Sequence, residues 1–284
     1  VSARITELLQ EKTFNFSPAQ LTSIHRRLFE GIYKFAGRIR DYNITKQEWV
    51  LRGETVYYAS ADTISETLEY DMGQERKYSY EGKSIDEAIS HLTRFCANLW
   101  QIHAFGEGNT RSTAVFMIKY LQTLGFKVTN DLFATNSWYF RNALVRANYS
   151  NLQKGITETT VFLERFFRNM LLGETTPLRN REMHLDWKPE IGQQSANDAS
   201  KSANSALGRV EFAQGLPPKC KNCTLEEIAV LRVLQQDPSA QQKFVAKEIG
   251  KSERTVKTIT SHLTELGIIK RSKGKGSDWV IIYE

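Results

Sequence analysis

From about residue 16 to residue 172, apolar side chains recur every three or four positions, the spacing of helices that bury one face. Ser84 and Glu87 stand three apart, where each side chain satisfies a free backbone donor near the other. They open a helix carrying Ile85, Ala88, Ile89, Leu92, Phe95, Cys96 and Leu99 on one side. This helix leads to His103. A polar, glycine-bearing stretch follows, then a second helix with Val115, Ile118, Tyr120 and Leu121 that stops at Gly125. One segment breaks the helical period. Between Tyr42 and Ala59, the residues Ile44, Trp49, Val50, Leu51, Val56, Tyr57 and Tyr58 flank Arg52-Gly53-Glu54, which predicts a β-hairpin inserted among the helices.

The pattern lapses between Pro189 and Gly208, where Ser, Ala, Asn and Gln dominate and Ile191 and Leu207 are the large apolar residues. Such a stretch buries little surface and reads as a linker, with an exposed helix as the alternative. Beyond Pro217-Pro218 regularity returns. Thr224 and Glu227 form a second capping box before a helix over Leu225 to Leu234. Phe244, Val245 and Ile249 with Gly250 mark another helix, and Ser252 caps a third bearing Val256, Ile259, Leu263 and Leu266. Two strands, Ile268 to Arg271 and Trp279 to Ile282, enclose Lys273-Gly274-Lys275-Gly276. Three helices and a hairpin resemble the winged helix-turn-helix family. The expected architecture is mainly α: a helical domain over 1–183 with its core at about 16–172 and its hairpin at about 42–59, a linker over 184–223, and a small α/β domain over 224–284.

At 284 residues the chain exceeds most single cores, and 40% hydrophobic with 25% charged residues is ordinary globular composition, so two folded units are expected. Cys96, Cys220 and Cys223 are too few for a secreted disulfide framework and point to a reducing compartment. No apolar run approaches the roughly 18 residues of a membrane span, so a cytoplasmic protein is expected. The chain begins at Val1 rather than Met, which leaves open a preceding segment. The formal charge of +6 admits an acidic partner. Its location narrows the choice: Lys251, Arg254, Lys257, Lys270, Arg271, Lys273 and Lys275 face only Glu253 and Glu265 in the same stretch. In a winged helix, Ser252, Arg254, Thr255 and Thr258 would reach bases, while Lys257, Lys273 and Lys275 would meet phosphates. A protein-interaction module is the alternative. Cys220 and Cys223 have the spacing of a zinc pair, but the other two ligands are missing, and they read as linker thiols.

The chemistry concentrates in His103-Ala104-Phe105-Gly106-Glu107-Gly108-Asn109-Thr110-Arg111. Free amides at a helix N-terminus bind phosphate, and glycines let the backbone approach it. Glu107 suits Mg²⁺ shared with substrate phosphates, Arg111 can grip phosphate oxygens through its planar fork, and Asn109 can add an amide. A histidine here can take a proton from a hydroxyl near neutral pH. Each residue also has a plainer role: His103 as a helix cap, Glu107 and Arg111 as an exposed ion pair, Phe105 as an anchor.

The nine residues resemble the Fic family signature, His-x-Phe-x-Asp/Glu-Gly-Asn-Gly/Lys-Arg. Ile24 to Phe29, Tyr33 to Gly37, Arg40 and Ile44-Thr45-Lys46 are similar to the family's preceding segments. The resemblance implies a helical Fic fold and AMP transfer from MgATP to a Tyr, Ser or Thr hydroxyl of a target protein. It makes His103 the base and Glu107 the Mg²⁺ ligand. The backbone of Gly106, Gly108, Asn109 and Thr110, with the Asn109 side chain, would hold phosphate, and Arg111 the departing pyrophosphate. The hairpin would be a flap on which a target strand docks against Trp49, Val50, Val56 and Tyr57. Thr110 stands where the family often has Gly or Lys, and Ala114 where many members carry a second Arg, which opens other donors such as UMP or phosphocholine. The family's inhibitory Ser/Thr-x-x-x-Glu-Gly/Asn helix has no full match. Ser65 with Glu69 and Thr160 with Glu164 match it in part, so restraint would come from a partner chain, from oligomerisation or from residues outside this chain. The rival reading is a DNA-binding transcriptional regulator whose Fic domain only binds nucleotide or a partner.

Overall fold

The computed structural model describes residues 1–188, 217, 219–220, 223–272 and 278–283. Among these, α1 (Ser2–Gln10), α2 (Pro18–Phe29), α3 (Ile64–Lys77), α4 (Ile85–Ile102), α5 (Asn109–Thr123), α6 (Asp131–Thr135), α7 (Ser137–Ala147) and α8 (Val161–Leu172) build the larger unit. Their ends follow from local chemistry. Ser17 caps α2 ahead of Pro18, and Ser84 and Glu87 make the expected reciprocal capping box on α4. The middle of the unit is α5, whose residues from Ser112 to Leu121 are all buried. A helix apolar on every side needs neighbours on every side, and α1, α2 and α4 supply them. The lone cation in that stretch, Lys119, is satisfied by the Leu8 and Glu11 carbonyls at the end of α1, each at 2.8 Å.

The mainly helical expectation holds, but the 42–59 segment contains no strand. The chain does reverse there, with Glu48 N–H donating to Glu54 O at 2.9 Å, around a 3₁₀ turn at Trp49–Leu51. Strand pairing fails because the neighbours Val50 and Leu51 are both buried, which an alternating strand cannot achieve, and Arg52 and Gly53 turn left-handed.

The second unit has α9 (Leu225–Gln236), α10 (Gln242–Ile249), α11 (Glu253–Glu265) and an antiparallel pair, β1 (Ile269–Arg271) with β2 (Trp279–Ile281), in register Ile269 to Ile281. Thr224 with Glu227 caps α9 as expected. The two units touch at the ends of the helices that frame the His103 loop. Ser84 and Thr224 form a backbone bridge, Ile85 N–H donates to Cys223 O at 2.9 Å, and Lys127, just past α5, pairs with Glu248 at 2.9 Å. Cys220 and Cys223 are buried at this junction rather than displayed in a linker, because their segment packs against the start of α4. Most of the expected linker, 189–216, lies outside the described residues, as do Lys273 and Lys275. No helix among the described residues is long and apolar enough to cross a membrane.

Candidate active site

His103 is the C-cap of α4 and sits in the left-handed region (φ +50°), unusual for a residue with a side chain. Its surroundings hold it there. Its N–H donates to Trp100 O at 3.0 Å and its carbonyl accepts from Arg40 Nε at 2.8 Å. Ring Nδ1 lies 3.3 Å from Trp100 O, so the proton belongs on Nδ1 and Nε2 carries the lone pair. The ring is 3% exposed, packed against Tyr58 at 4.1 Å between centroids. Burial, reinforced by Lys46, Arg40 and Arg141, pulls its pKa down to about 3, so it is neutral at physiological pH. Buried Arg40 also donates to the carbonyls of Tyr42, at 2.6 Å, and Ala59, tying both ends of the 42–59 loop to the end of α4.

The loop after His103 is braced from below. Phe105 is buried, and His25 of α2 stacks on it at 3.8 Å. His25 Nδ1 accepts from Gly37 N–H at 2.8 Å, which leaves Nε2 to donate to Glu107 O at 2.9 Å. Asn109 Oδ1 accepts from Phe105 N–H at 2.9 Å and its Nδ2 donates to Phe105 O at 2.6 Å. The Asn109 amide thus braces the loop's own backbone, and the residue also lines the cleft. Thr110 Oγ1 likewise accepts from Trp100 Nε1 at 3.0 Å. Gly108 precedes α5 at φ +84°, with the Phe29 ring where a Cβ would stand. Only glycine fits both the torsion and the contact. Gly106 is packed as tightly, against the Tyr42 hydroxyl.

These constraints leave an open cleft of about 250 Å³ lined by Lys46, His103, Glu107, Gly108, Asn109, Thr110, Arg111, Ser137, Trp138 and Arg141. The free amides of the first turn of α5 lie at its wall. Partial burial pushes the Glu107 carboxyl up, but Lys46 at 2.9 Å, the Gly108 N–H and His103 outweigh it and hold the group below the usual carboxylate range. A single ionised carboxylate beside a phosphate-binding helix end is the donor set Mg²⁺ uses when substrate oxygens complete its shell, so these residues fit that ion. Among the described residues, no group of three or more His, Cys, Asp or Glu could hold a metal alone. Arg111 lies over the Phe29 ring at 4.8 Å.

Sequence reasoning missed Ser137, Trp138 and Arg141 of α7. Arg141 makes a bidentate pair with Glu48, whose side chain is fully buried, and thereby joins the 42–59 loop to the cleft. Of the four residues expected to dock a target, Trp49 and Tyr57 are 50% and 82% exposed. Val50 and Val56 have buried side chains, and the Val50 carbonyl already accepts from Leu185 N–H.

On α11, Arg254, Lys257 and Thr258 are exposed opposite the buried face of Val256, Ile259 and Leu263, and they line a shallow open groove. Ser252 Oγ accepts from Thr255 N–H at 3.1 Å and meets Thr255 Oγ1 at 2.8 Å, so both residues serve first as the helix cap.

The Fic/DOC family model matches residues 15–121, and that of the winged helix-turn-helix DNA-binding family matches residues 227–270. The protein adenylyltransferase VbhT of Bartonella schoenbuchensis is 20% identical over 279 residues, covering 90% of this chain and 55% of that protein. The chain therefore spans about half the length of this curated relative. Among solved structures, the BepC effector of Bartonella tribocorum with bound AMPPNP is similar at TM-score 0.47 and 20% identity, over 60% of this chain and 81% of that one. The Fic domain of a Bep effector from Bartonella sp. AR 15-3 is similar at TM-score 0.47 and 22% identity, over 60% and 77%. With its helix, loop and helix braced around one cleft, the chain carries a Fic/DOC family domain followed by a winged helix-turn-helix domain.

Proposed function

We propose that this protein is an adenylyltransferase that moves AMP from ATP to a hydroxyl of a target protein. One observation carries the reading: a neutral histidine of fixed tautomer, an ionised carboxylate and an arginine face one cleft at the N-terminus of a helix. The α-phosphate rests on the amides of the first turn of α5, and Arg111 takes the charge of the leaving group. Glu107 would hold Mg²⁺, and the ion would supply positive charge for the phosphate oxygens. The target hydroxyl oxygen bonds to Pα, its proton passes to His103 Nε2, and pyrophosphate departs. The phosphates bring negative charge beside His103 and offset the cationic field of Lys46, Arg40 and Arg141, so its basicity rises as substrate binds. The name of the VbhT relative supports the same reaction. Trp49 and Tyr57, exposed on the loop beside the cleft, are the proposed target contacts.

The exposed Arg254, Lys257 and Thr258 of α11, within the segment matched by the DNA-binding family, support duplex binding as a second property. It is compatible with catalysis rather than a substitute for it. We place both activities in the cytoplasm, where the buried free cysteines stay reduced. Mass spectrometry of a bacterial lysate incubated with the protein and MgATP tests the first reading. Adenylate on a Tyr, Ser or Thr of a protein is the expected product; an unmodified proteome with ATP bound to the cleft would refute transfer.

A further inference from the structure

A histidine acts as a base in one ring orientation, and the backbone of His103 does little to fix it. The last torsion of a histidine side chain has two broad wells, and a turn of the ring from one to the other would take Nδ1 away from Trp100 O. That hydrogen bond is long, at 3.3 Å, and weak by itself. Trp100 meets the imidazole edge-on, at 5.1 Å between centroids and 87°. Tyr58 meets it more nearly face to face, at 4.1 Å and 34°. The chain on either side of Tyr58 is fastened to the end of α4. Tyr57 O accepts from Gln101 Nε2 at 3.0 Å, and Ala59 O accepts from Arg40, which also donates to His103 O. The Tyr58 hydroxyl lies 3.4 Å from Oε1 of Glu48, the buried carboxylate paired with Arg141. Burial, and then the Glu48 charge, push the phenol pKa up, so it stays a donor.

We infer that Tyr58 is a positioning residue for the base: its ring walls the imidazole and keeps Nδ1 on Trp100 O, so that Nε2 stays free to accept the proton of the target hydroxyl. Which nitrogen carries the proton follows from the hydrogen bond the ring keeps, so a ring that swings loses both its aim and its tautomer. Tyr57 and Tyr58 divide the task between them. Tyr57, the proposed target contact, is exposed, whereas its neighbour packs on His103. Their Cα atoms are about 3.8 Å apart, so a target seated on Tyr57 is registered against the base through a single peptide unit. The inference rests on the proposed role of His103, while the hold on its ring can be read without any transfer.

Nitrogen NMR of the full chain with isotope-labelled histidines, assigned with His103→Gln, reads the His103 tautomer at neutral pH. Transfer of α-label from ATP to lysate protein reads its use. Tyr58→Leu should give a His103 signal averaged between the two tautomers. Its transfer should fall about 10- to 100-fold at saturating ATP, with ATP affinity within about 2-fold of wild type as the sign of an intact cleft. Tyr58→Phe, which keeps the ring, should keep the wild-type tautomer and lose no more than about 5-fold in rate. If Tyr58→Leu does not fold, Tyr58→Met, which adapts to the space but has no ring face, takes its place. An unchanged tautomer in these ring-less variants would overturn the inference whatever the rate, and a rate restored by concentrated lysate would then make Tyr58 a target contact. A shifted tautomer with an unchanged rate would overturn it as well. Wild-type His103 protonated on Nε2 would overturn it together with the assignment of the base. A tautomer that shifts in Tyr58→Leu, in a protein that labels nothing, would uphold the hold of Tyr58 on the ring while refuting transfer.

Discussion

Replacing Asn109 by alanine strands two buried backbone groups at once. The side chain accepts from Phe105 N–H at 2.9 Å and donates to Phe105 O at 2.6 Å, at a position 6% exposed, where water cannot readily take its place. A buried donor or acceptor left without a partner costs about 1–3 kcal/mol. Little apolar area is lost, so the two together should destabilise the Fic domain by about 2–4 kcal/mol, a fall in Tm of roughly 5–15 °C. Asn109→Asp makes the argument sharper. It keeps the acceptor for Phe105 N–H but sets an oxygen against the Phe105 carbonyl, so it should be at least as damaging as alanine at neutral pH and milder in acid, where its carboxyl can donate. Thermal and urea unfolding beside ATP titration would decide. An Asn109→Ala protein within about 0.5 kcal/mol of wild type that has lost ATP binding would refute the bracing role and leave phosphate binding as the side chain's task.

Gly108→Ala should cost at least about 2 kcal/mol and abolish nucleotide binding, because the new Cβ would lie 2.4 Å from the Phe29 ring at φ +84°; unfolding and ATP titration check it. Acid should weaken the fold through His103. Its folded pKa of about 3 lies below the ordinary histidine value, so its contribution is complete above about pH 6.5 and is lost as pH falls towards 3, by up to about 1.4 kcal/mol per unit. His25, lowered chiefly by burial, adds in the same sense. His103→Gln should flatten the pH dependence of urea unfolding between pH 6 and 4, and an unchanged slope would count against a buried neutral ring. On α11, the Arg254→Ala, Lys257→Ala double variant should lower the slope of log affinity for duplex DNA against log salt by about 2; no change would remove that face from the DNA interface.

Local chemistry was the legible part of this chain. Both capping boxes, the stop at Gly125, the turn at Gly250 and the strand pair around the wing depend on residues a few positions apart, and each stands where the pattern put it. The 42–59 segment misled because β-rich composition near Arg52-Gly53 was taken as alternation, whereas Val50 and Leu51 both turn inward and Arg141 draws Glu48 beneath the loop. Glu48 and Arg141 are far apart in sequence, so no local signal joins them. Trp138 left a faint trace: a large aromatic beside, rather than on, the inward face of Tyr139, Phe140, Ala143 and Leu144. For Asn109 the residue type was informative but ambiguous, since an amide that can bind phosphate can equally bind a carbonyl. Its Phe105 partner lies only four residues back, and tertiary bracing by His25 and Phe29 shapes the loop that brings them together.

The central claim is that His103 takes the proton as AMP moves to protein. It is tested most directly with ATP labelled at the α or the γ phosphate, Mg²⁺ and a bacterial lysate, comparing wild type with His103→Ala. The account predicts protein-bound label from the α position only, lost in His103→Ala while ATP binding is retained. Undiminished α-label transfer by His103→Ala would contradict it, as would label arriving from the γ position.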